Sequence, residues 1–433
     1  MSAAFTECGL VSLIDLIATP YVPGMVKGSI SRNPRDAGSI LVISGMAPPA
    51  EIRAAGIIAV EGAMFSHPML ALLALGIPTI IATAEQAAEM PDGEMVLLDG
   101  YSGMLRSLSS GTAVTLQPPE LPEPGQVLLT ADGAEVSLRA SVRNASGAAR
   151  AKKMGAASIG LVRTEFLVPD GDRQPDAGFY RQAFDELLMA ADPLHVTLRL
   201  IDIAADKLPA WMRSSGQHVS VLGRQGVRLY GAEPLRGVML AQLDALEGSL
   251  ARERINLLVP YITTLDEMRE TRDAIRSRID LPVGAMIETP AAALEIASQL
   301  EIADFVALGT NDLMQSLFAA DRDDQTLAHY LDPCAPVLYR FLSQIAKEAG
   351  EQVHRIQVCG LLSQLPGVLP VLLGLGFRAF SVDAAYIPYL ASTARKTHTI
   401  EASALAREVC RMKKSPMVKA LLGTDAVPAG REK

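Results

Sequence analysis

The sequence predicts an α/β protein: a C-terminal (β/α)8 barrel preceded by a smaller α/β domain. Two observations carry the barrel. Eight short apolar runs recur after residue 135, mostly with helical stretches between them, and runs of four to eight apolar residues read as strands buried on both faces. Polar groups then stand where such runs stop: Arg163, Asp202, Glu288, Asn311, Asp312 and Cys359 lie at or just past a strand terminus. In a barrel of eight parallel strands the functional groups gather at those C-terminal ends. A doubly wound sheet is the alternative, because βα alternation alone does not distinguish the two. A third observation sets the boundary. Residues 107–135 are rich in Pro, Gly and Ser, and PPELPEPG reads as a semi-rigid spacer. The expected division is therefore 1–106, a linker over 107–135, and the barrel over 136–433.

Composition narrows the class. A chain of 433 residues, 49% hydrophobic and 20% charged, has room for two domains and a large core, and reads as soluble and globular. Its net charge of −9 argues against a nucleic-acid binder, which carries a basic face. Cys8, Cys334, Cys359 and Cys410 are scattered without a CxxC, so neither a zinc site nor a disulfide framework is expected and a reducing cytoplasm fits. No basic segment precedes the first apolar residues, so no signal peptide is expected. The longest apolar run, Met69 to Ala82, contains Pro78 and is shorter than the roughly 20 residues of a membrane span.

In the first domain, CGLVSLIDLIA near the N-terminus reads as a short amphipathic helix. Strands are expected at 39–44, 56–62, 77–82 and 95–100. Between the second and third, AMFSHPMLALLALG reads as a helix opened by Ser66, His67 and Pro68, a serine N-cap before a proline-initiated turn. That places His67 in the first turn, where backbone N–H groups and the helix dipole favour an anion, and where an imidazole is well set to carry a phosphoryl group. The alternative is a histidine that only caps or packs.

The barrel strands are expected at 136–142, 158–163, 196–202, 255–261, 283–288, 305–310, 356–360 and 378–383. Glu288 and Asp312 at two successive tips are hard oxygen donors of the kind Mg²⁺ takes, one or two carboxylates plus substrate oxygens. Arg322, ten residues after Asp312, adds a cation for a phosphate. For either carboxylate alone the competing reading is a helix cap, since TPAAAL and LMQSLF both look helical. Arg163 and Arg199 lie within apolar runs, where simple solvation is a poor explanation for an arginine.

The segments MIETPAAAL, LGTNDLMQ and AADR resemble the signature of the phosphoenolpyruvate-utilising enzymes, which include enzyme I of the bacterial phosphotransferase system, pyruvate phosphate dikinase and phosphoenolpyruvate synthase. The wording is closest to enzyme I. GLVRTEFL is close to that family's GIGLxRTEFL, TLRLIDIAADK resembles TxRTxDIGGDK with Ala204 and Ala205 in place of two glycines, and LGRQGVR is similar to LGWRAIR. GMVKGSI, EGAMFSH and LDGYSG resemble the family's swivelling phosphohistidine domain, with Phe65 for a threonine, Pro68 for a small residue and Leu73 for an arginine. QVCGLL resembles the CGE loop, with Leu361 for the glutamate.

The resemblance implies roles residue by residue. His67 would be the phosphoacceptor; Arg163, Arg199, Arg224, Asn311 and Arg322 would bind substrate; Glu288 and Asp312 would hold Mg²⁺. Cys359 would protonate the enolate carbon to give pyruvate, a task that suits a thiol still protonated near neutral pH with an ordinary pKa of about 8.5. Its alternative is a small buried hydrophobe. Transfer from an enol phosphate needs cations around the moving oxygens, a divalent metal and an acid for the carbon, and arginine's fork matches phosphate or carboxylate.

The expected function is therefore phosphoenolpyruvate-dependent phosphotransfer through His67 to a separate acceptor. Two alternatives stand beside it: half of a split dikinase or synthase working with an ATP-grasp protein, and a non-catalytic phosphoenolpyruvate-binding regulator. The apolar helices near the C-terminus, VLPVLLGLGF and 400–422, exceed what a monomer's rim needs, and the resemblance implies a homodimer. Neither a nucleic-acid nor a membrane partner is expected.

Overall fold

The computed structural model describes residues 14–44, 52–108, 119–168, 171, 173–203, 208–213, 223–249 and 251–423, with Ser44, His67, Ala74, Arg213 and Gln325 described through their backbone alone. Two compact units divide the chain, Met1–Pro118 and Pro119–Asp425.

Among its described residues the first unit contains eight strands: β1 (Asp15–Ile17), β2 (Thr19–Val22), β3 (Met25–Ser31), β4 (Ile40–Ser44), β5 (Gly56–Val60), β6 (Thr79–Ala82), β7 (Met95–Asp99) and β8 (Met104–Ser107). They form one mixed sheet in the order β1-β8-β7-β3-β4-β5-β6-β2. Strands β4 to β7 were legible as apolar runs. The expected N-terminal helix is corrected: its described part, 14–18, contains β1, which pairs antiparallel with β8; β2 follows it and pairs antiparallel with β6, and residues 8–13 lie outside the described residues. Ile30, Ile40, Val42, Ile58, Ile80, Val96, Leu98 and Leu105 bury the core.

After β5 the chain turns through Ser66 into the helix His67–Leu75, which stops at Gly76 in a left-handed conformation (φ 64°). Ser66 is the N-cap residue and extended, and its side chain makes no cap bond. The helix buries Met69, Leu70, Leu72 and Leu73, so it is anchored by apolar packing.

The second unit is the barrel. A short strand β9 (Leu128–Leu129) precedes eight parallel strands: β10 (Glu135–Val142), β11 (Ile159–Arg163), β12 (Val196–Arg199), β13 (Ile255–Ile262), β14 (Val283–Ile287), β15 (Val306–Gly309), β16 (Ile356–Cys359) and β17 (Ala379–Val382). Each pairs with the next, β17 pairs with β10, and β10 pairs with β11, so the sheet is closed. All eight expected barrel strands are present, and closure excludes the doubly wound alternative. Side chains cap several crossover helices: Asn144, Asp176, Thr264 and Thr289 each accept a backbone N–H of the first turn.

Two expectations change here. The range 107–135 is not all linker: β9 pairs antiparallel with β10, Leu128 is buried, and the Gly125 amide donates to Ala156 O at 2.9 Å. The apolar helix Val368–Leu375 is covered within the chain. It buries Val368, Leu369, Val371, Leu372 and Leu373, and at Gly374 an added Cβ would run into the backbone of Ala402 on the helix Thr399–Arg411.

Candidate active site

The C-terminal ends of β11 to β16 carry a connected set of charges. Arg199, the last residue of β12, is 7% exposed. Its Nη2 donates to Glu165 Oε1 at 2.6 Å, and its Nη1 lies 3.1 Å from Asp202 Oδ2 and 3.7 Å from Met286 Sδ. Its Nε meets no acceptor among the described residues. Burial pulls the guanidinium pKa down, but Glu165, Asp202, Glu288 and Asp312 more than offset this and hold Arg199 firmly charged. Asp202 also accepts from the Gly226 amide at 3.1 Å, and its pKa is raised, chiefly by burial.

The frame behind these groups is polar and buried. Thr164 Oγ1 donates to Arg199 O at 2.8 Å and accepts from Gln242 Nε2 at 2.9 Å, while Gln242 Oε1 accepts the Ile201 amide at 2.9 Å. Tyr230 donates its hydroxyl to Ile201 O at 2.6 Å. The ends of β11 and β12 are thereby fixed to each other and to the helix Leu235–Leu246.

Glu288 follows β14 and is 2% exposed. Its Oε2 accepts the Tyr261 amide at 3.2 Å. Tyr261 sits in the left-handed region (φ 56°), a strain of about 1–3 kcal/mol for a residue with a Cβ. Burial, then the neighbouring Asp312 carboxylate, raise Glu288 to about 8 against the pull of Arg199. Gly309 opposite leaves room for it, since an added Cβ would stand 2.6 Å from Glu288 Cγ.

Strand β15 runs directly into the helix Thr310–Phe318, so Asn311 and Asp312 fall in its first turn. Neither carboxylate is a cap, which removes the competing reading. Gly309 is the N-cap of that helix, and Thr289 caps the helix after Glu288. Asp312 Oδ2 instead lies 3.2 Å from Arg322 Nη1. Asn311 Oδ1 accepts the Leu361 amide at 3.0 Å, and Thr310 Oγ1 donates to Cys359 O at 2.7 Å, so the β15 and β16 ends are joined. Gly360 between them has φ 106° and no room for a side chain against Thr310 and Asn311.

Cys359 is 1% exposed and free. Burial pushes its thiol up to about 12, although Arg139 and Arg163 work in the other direction. Arg163, at the end of β11, has its pKa lowered first by burial and then by Arg199; its backbone pairs with β12, and its guanidinium makes no hydrogen bond or ion pair among the described residues. Arg143, past β10, stacks over Phe166 at 4.4 Å.

Of the residues singled out in the sequence, Arg163, Arg199, Arg322, Asn311, Glu288, Asp312 and Cys359 are brought to one end of the barrel. Arg224 is exposed in the turn before Gly226, and no contact among the described residues ties it to the others. Ala204 and Ala205 lie outside the described residues. His67 belongs to the other unit, at its helix's N-terminus. Sequence reasoning missed Glu165, Gln242 and Arg143. Glu165 had a signal, a carboxylate two residues past Arg163. Gln242 had one too, the one amide on the face formed by Leu235, Val238, Met239 and Leu246.

Magnesium fits the carboxylates present. Glu288 and Asp312 are hard oxygen donors on neighbouring strand ends, close enough that Asp312 adds to the burial that raises Glu288. Among the described residues no three or more His, Cys, Asp or Glu side chains gather as a protein-only metal cage. Mg²⁺ needs none, since it takes one or two carboxylates and fills its octahedron with water and substrate oxygens.

A closed parallel barrel with arginines and paired carboxylates at its C-terminal mouth defines an enzyme acting on a small, highly charged anion. Comparison with known proteins makes this specific. Residues 123–399 match the family described as PEP-utilising enzyme, PEP-binding domain, and residues 36–103 match PEP-utilising enzyme, mobile domain. The chain belongs to the phosphoenolpyruvate-utilising enzyme family. It is 30% identical over 404 residues to a phosphoenolpyruvate-protein phosphotransferase of Cupriavidus necator, covering 86% of this chain and 68% of the relative. It is 27% identical over 414 residues to the phosphoenolpyruvate-protein phosphotransferase of Haloferax volcanii, covering 90% and 72%. Against multiphosphoryl transfer protein 1 of Escherichia coli it is 27% identical over 391 residues, 85% of this chain and 47% of that one.

Proposed function

We propose that this chain is a phosphoenolpyruvate-dependent phosphotransferase that carries the phosphoryl group on His67, releases pyruvate and passes the group to a separate acceptor. The observation that carries the reading is the convergence of Arg163, Arg199, Arg322, Glu288, Asp312 and Cys359 at one end of a closed barrel. The family match over both units supports it.

Each group has a task set by its surroundings. Arg163 has no carboxylate bonded to it, so its fork is available for phosphate. Arg199 is already fixed by Glu165 and Asp202, which orients it before any anion arrives. Arg322 is held beside Asp312, and the exposed Arg224 is a cation that a bound anion can draw in. Asn311 keeps its amide nitrogen for an oxygen while its Oδ1 braces Leu361. Glu288 and Asp312 would hold Mg²⁺, which supplies charge neutralisation at the phosphoryl oxygens. A nitrogen of His67 attacks phosphorus, the P–O bond to the enol breaks, and the electron pair leaves on the enolate oxygen. Cys359, a thiol kept protonated by burial, gives its proton to the methylene carbon.

The acceptor is proposed to be another protein, and the assembly a cytoplasmic homodimer, as for the relatives that the sequence resembles. Among the described residues no helix is long and apolar enough to cross a membrane. The test is incubation with ³²P-labelled phosphoenolpyruvate and Mg²⁺. Acid-labile, base-stable label is expected on the wild type and absent from His67→Ala. No label on a folded wild-type protein overturns the proposal.

A further inference from the structure

Barrel interiors are normally filled with branched apolar side chains, and half of this one is. Leu161, Leu258, Met286 and Ala307 pack against Cys359. The other half is polar. Cys359, Ser381 and Arg139 are register partners across β16, β17 and β10. Ser381 is 1% exposed; its hydroxyl lies 3.0 Å from Ser141 Oγ, and its register partner on β16 is Cys359. Arg139 donates from Nε to Ser137 Oγ and from Nη1 to Gln357 Oε1, each at 3.2 Å, while Gln357 Nε2 donates to Gly160 O at 2.9 Å. Gly160 makes this possible: an added Cβ would lie 2.7 Å from Arg139 Cβ, 2.8 Å from Ser381 Oγ and 3.0 Å from Gln357 Oε1.

Arg139 therefore holds two neutral hydrogen-bond acceptors and, among the described residues, no carboxylate. A cation half-buried this way is favoured by an anion nearby. The groups acting on Cys359 are Arg139 from β10, Arg163 from β11, Glu288 after β14 and Ser381 from β17; Cys359 is in turn the charge partner that Arg139 has. The phosphotransfer reading uses the arginines at the mouth but gives Arg139 nothing to do.

We propose that Arg139 and Ser381 are positioning residues that hold the Cys359 thiolate: Ser381 donates a hydrogen bond to the sulfur and Arg139 balances its charge. The inference rests on the proposed role of Cys359 as the acid. When the S–H bond breaks and the new C–H bond forms at the methylene carbon, the electron pair stays on sulfur. That anion is then matched in place by Ser381 and Arg139 until it recovers a proton from water. The apolar half of the lumen keeps the neutral thiol dry, and the polar half makes its conjugate base tolerable.

The test compares wild type with Arg139→Met, Arg139→Lys, Ser381→Ala and Ser381→Thr by two readouts. The first needs no substrate: the rate of Cys359 alkylation by iodoacetamide at pH 9, followed on its own peptide with Cys410 as internal reference. Arg139→Met is expected to slow it about tenfold, the change in thiolate population made by one pKa unit. Ser381→Ala slows it less, and Arg139→Lys and Ser381→Thr recover most of the rate. The second readout is pyruvate formation, with kcat falling in Arg139→Met, KM unchanged and the solvent deuterium isotope effect larger. Rates within twofold of wild type across all four variants, or a Cys359 that never reacts, overturn the proposal. A wild type that yields no phosphoprotein while Cys359 alkylation still depends on Arg139 refutes the phosphotransfer reading and leaves the thiolate pair standing.

Discussion

The two units solve opposite problems. In the barrel, charge is buried and cross-braced: Arg199 bridges Glu165 and Asp202, Asp312 meets Arg322, and Glu288 is held by a strained Tyr261 amide. In the first unit the helix carrying His67 is anchored by Met69, Leu70, Leu72 and Leu73, with no acidic residue in its first turn and no basic residue in its last. One unit holds its charges organised by burial and ion pairs; the other, in the proposed function, carries His67 on an apolar mount. Even Leu73, where the family resemblance calls for an arginine, is 6% exposed and part of that mount. In the proposed function, phosphate handling is thus concentrated in the barrel.

The largest break in that comparison is Arg199→Met. It leaves Glu165 and Asp202 buried without their cation, and removing one partner of a buried ion pair costs about 3–5 kcal/mol. Chemical denaturation is expected to show that loss in the barrel transition together with lost turnover. His67→Ala is expected to abolish phosphoprotein with a stability change of about 0.5 kcal/mol or less. Equal destabilisation by the two would erase the contrast between the units.

Next comes Glu288. Its folded pKa is about 8 against an ordinary 4.5, so between those values the folded protein keeps a proton that the unfolded chain has released. Stability without metal therefore falls as pH rises through this window, by up to about 1.4 kcal/mol per pH unit for one group. Glu288→Gln is expected to flatten that part of the stability profile. Mg²⁺ is expected to raise the melting temperature more at pH 8 than at pH 6, because the ionised carboxylate is the ligand. Calorimetric melting across pH 5–8, with and without Mg²⁺, reads both; a Glu288→Gln profile parallel to wild type overturns the assignment.

How much of this was readable beforehand follows the same division. The barrel strands were legible because parallel strands buried on both faces leave unbroken apolar runs such as VGAMI and AFSV. Their polar endings marked the mouth. The first unit was half legible: β4 to β7 are apolar runs, whereas DLI and TPYV are too short and mixed to announce strands, and they exist because β8 and β6 offer them ladders. PPELPEPG looked like a spacer by composition, yet its end is pinned by the Gly125 amide. Arg139 and Ser381 were hidden for a physical reason. A single polar residue in an apolar run does not say which way it faces, and the register irregularity between Ala140 and Ser141 that brings Gly160 against Arg139 and Ser381 leaves no mark in the sequence.

Smaller effects sharpen the contrast further. Gly360→Ala places a Cβ against Thr310 and Asn311 at a φ of 106°, with an expected cost of about 1–3 kcal/mol. Because Asn311 braces Leu361 beside Cys359, the variant is expected to lose turnover out of proportion to stability. Gly38→Ala, also at positive φ but with nothing within 4 Å of an added Cβ, serves as the control in the first unit. It is expected to cost stability and leave turnover intact.

The smallest effect belongs to Thr83→Ala. Thr83 Oγ1 accepts the Gln86 amide at 3.1 Å, and Gln86 Oε1 accepts the Thr83 amide at 3.0 Å, a reciprocal cap on the helix Ala84–Ala88. Losing it is expected to cost about 1 kcal/mol. The same Gln86 also donates to Ile17 O at 3.0 Å, so the loss should spread to β1 and to the sheet it belongs to. Hydrogen exchange is the measurement: faster exchange across β1, β2 and β6 with unchanged protection in β10 to β17 is expected if the two units hold themselves together independently. Barrel amides that lose protection in step with the cap would mean that the carrier's stability is borrowed from the barrel, and the contrast between the two would have to be redrawn.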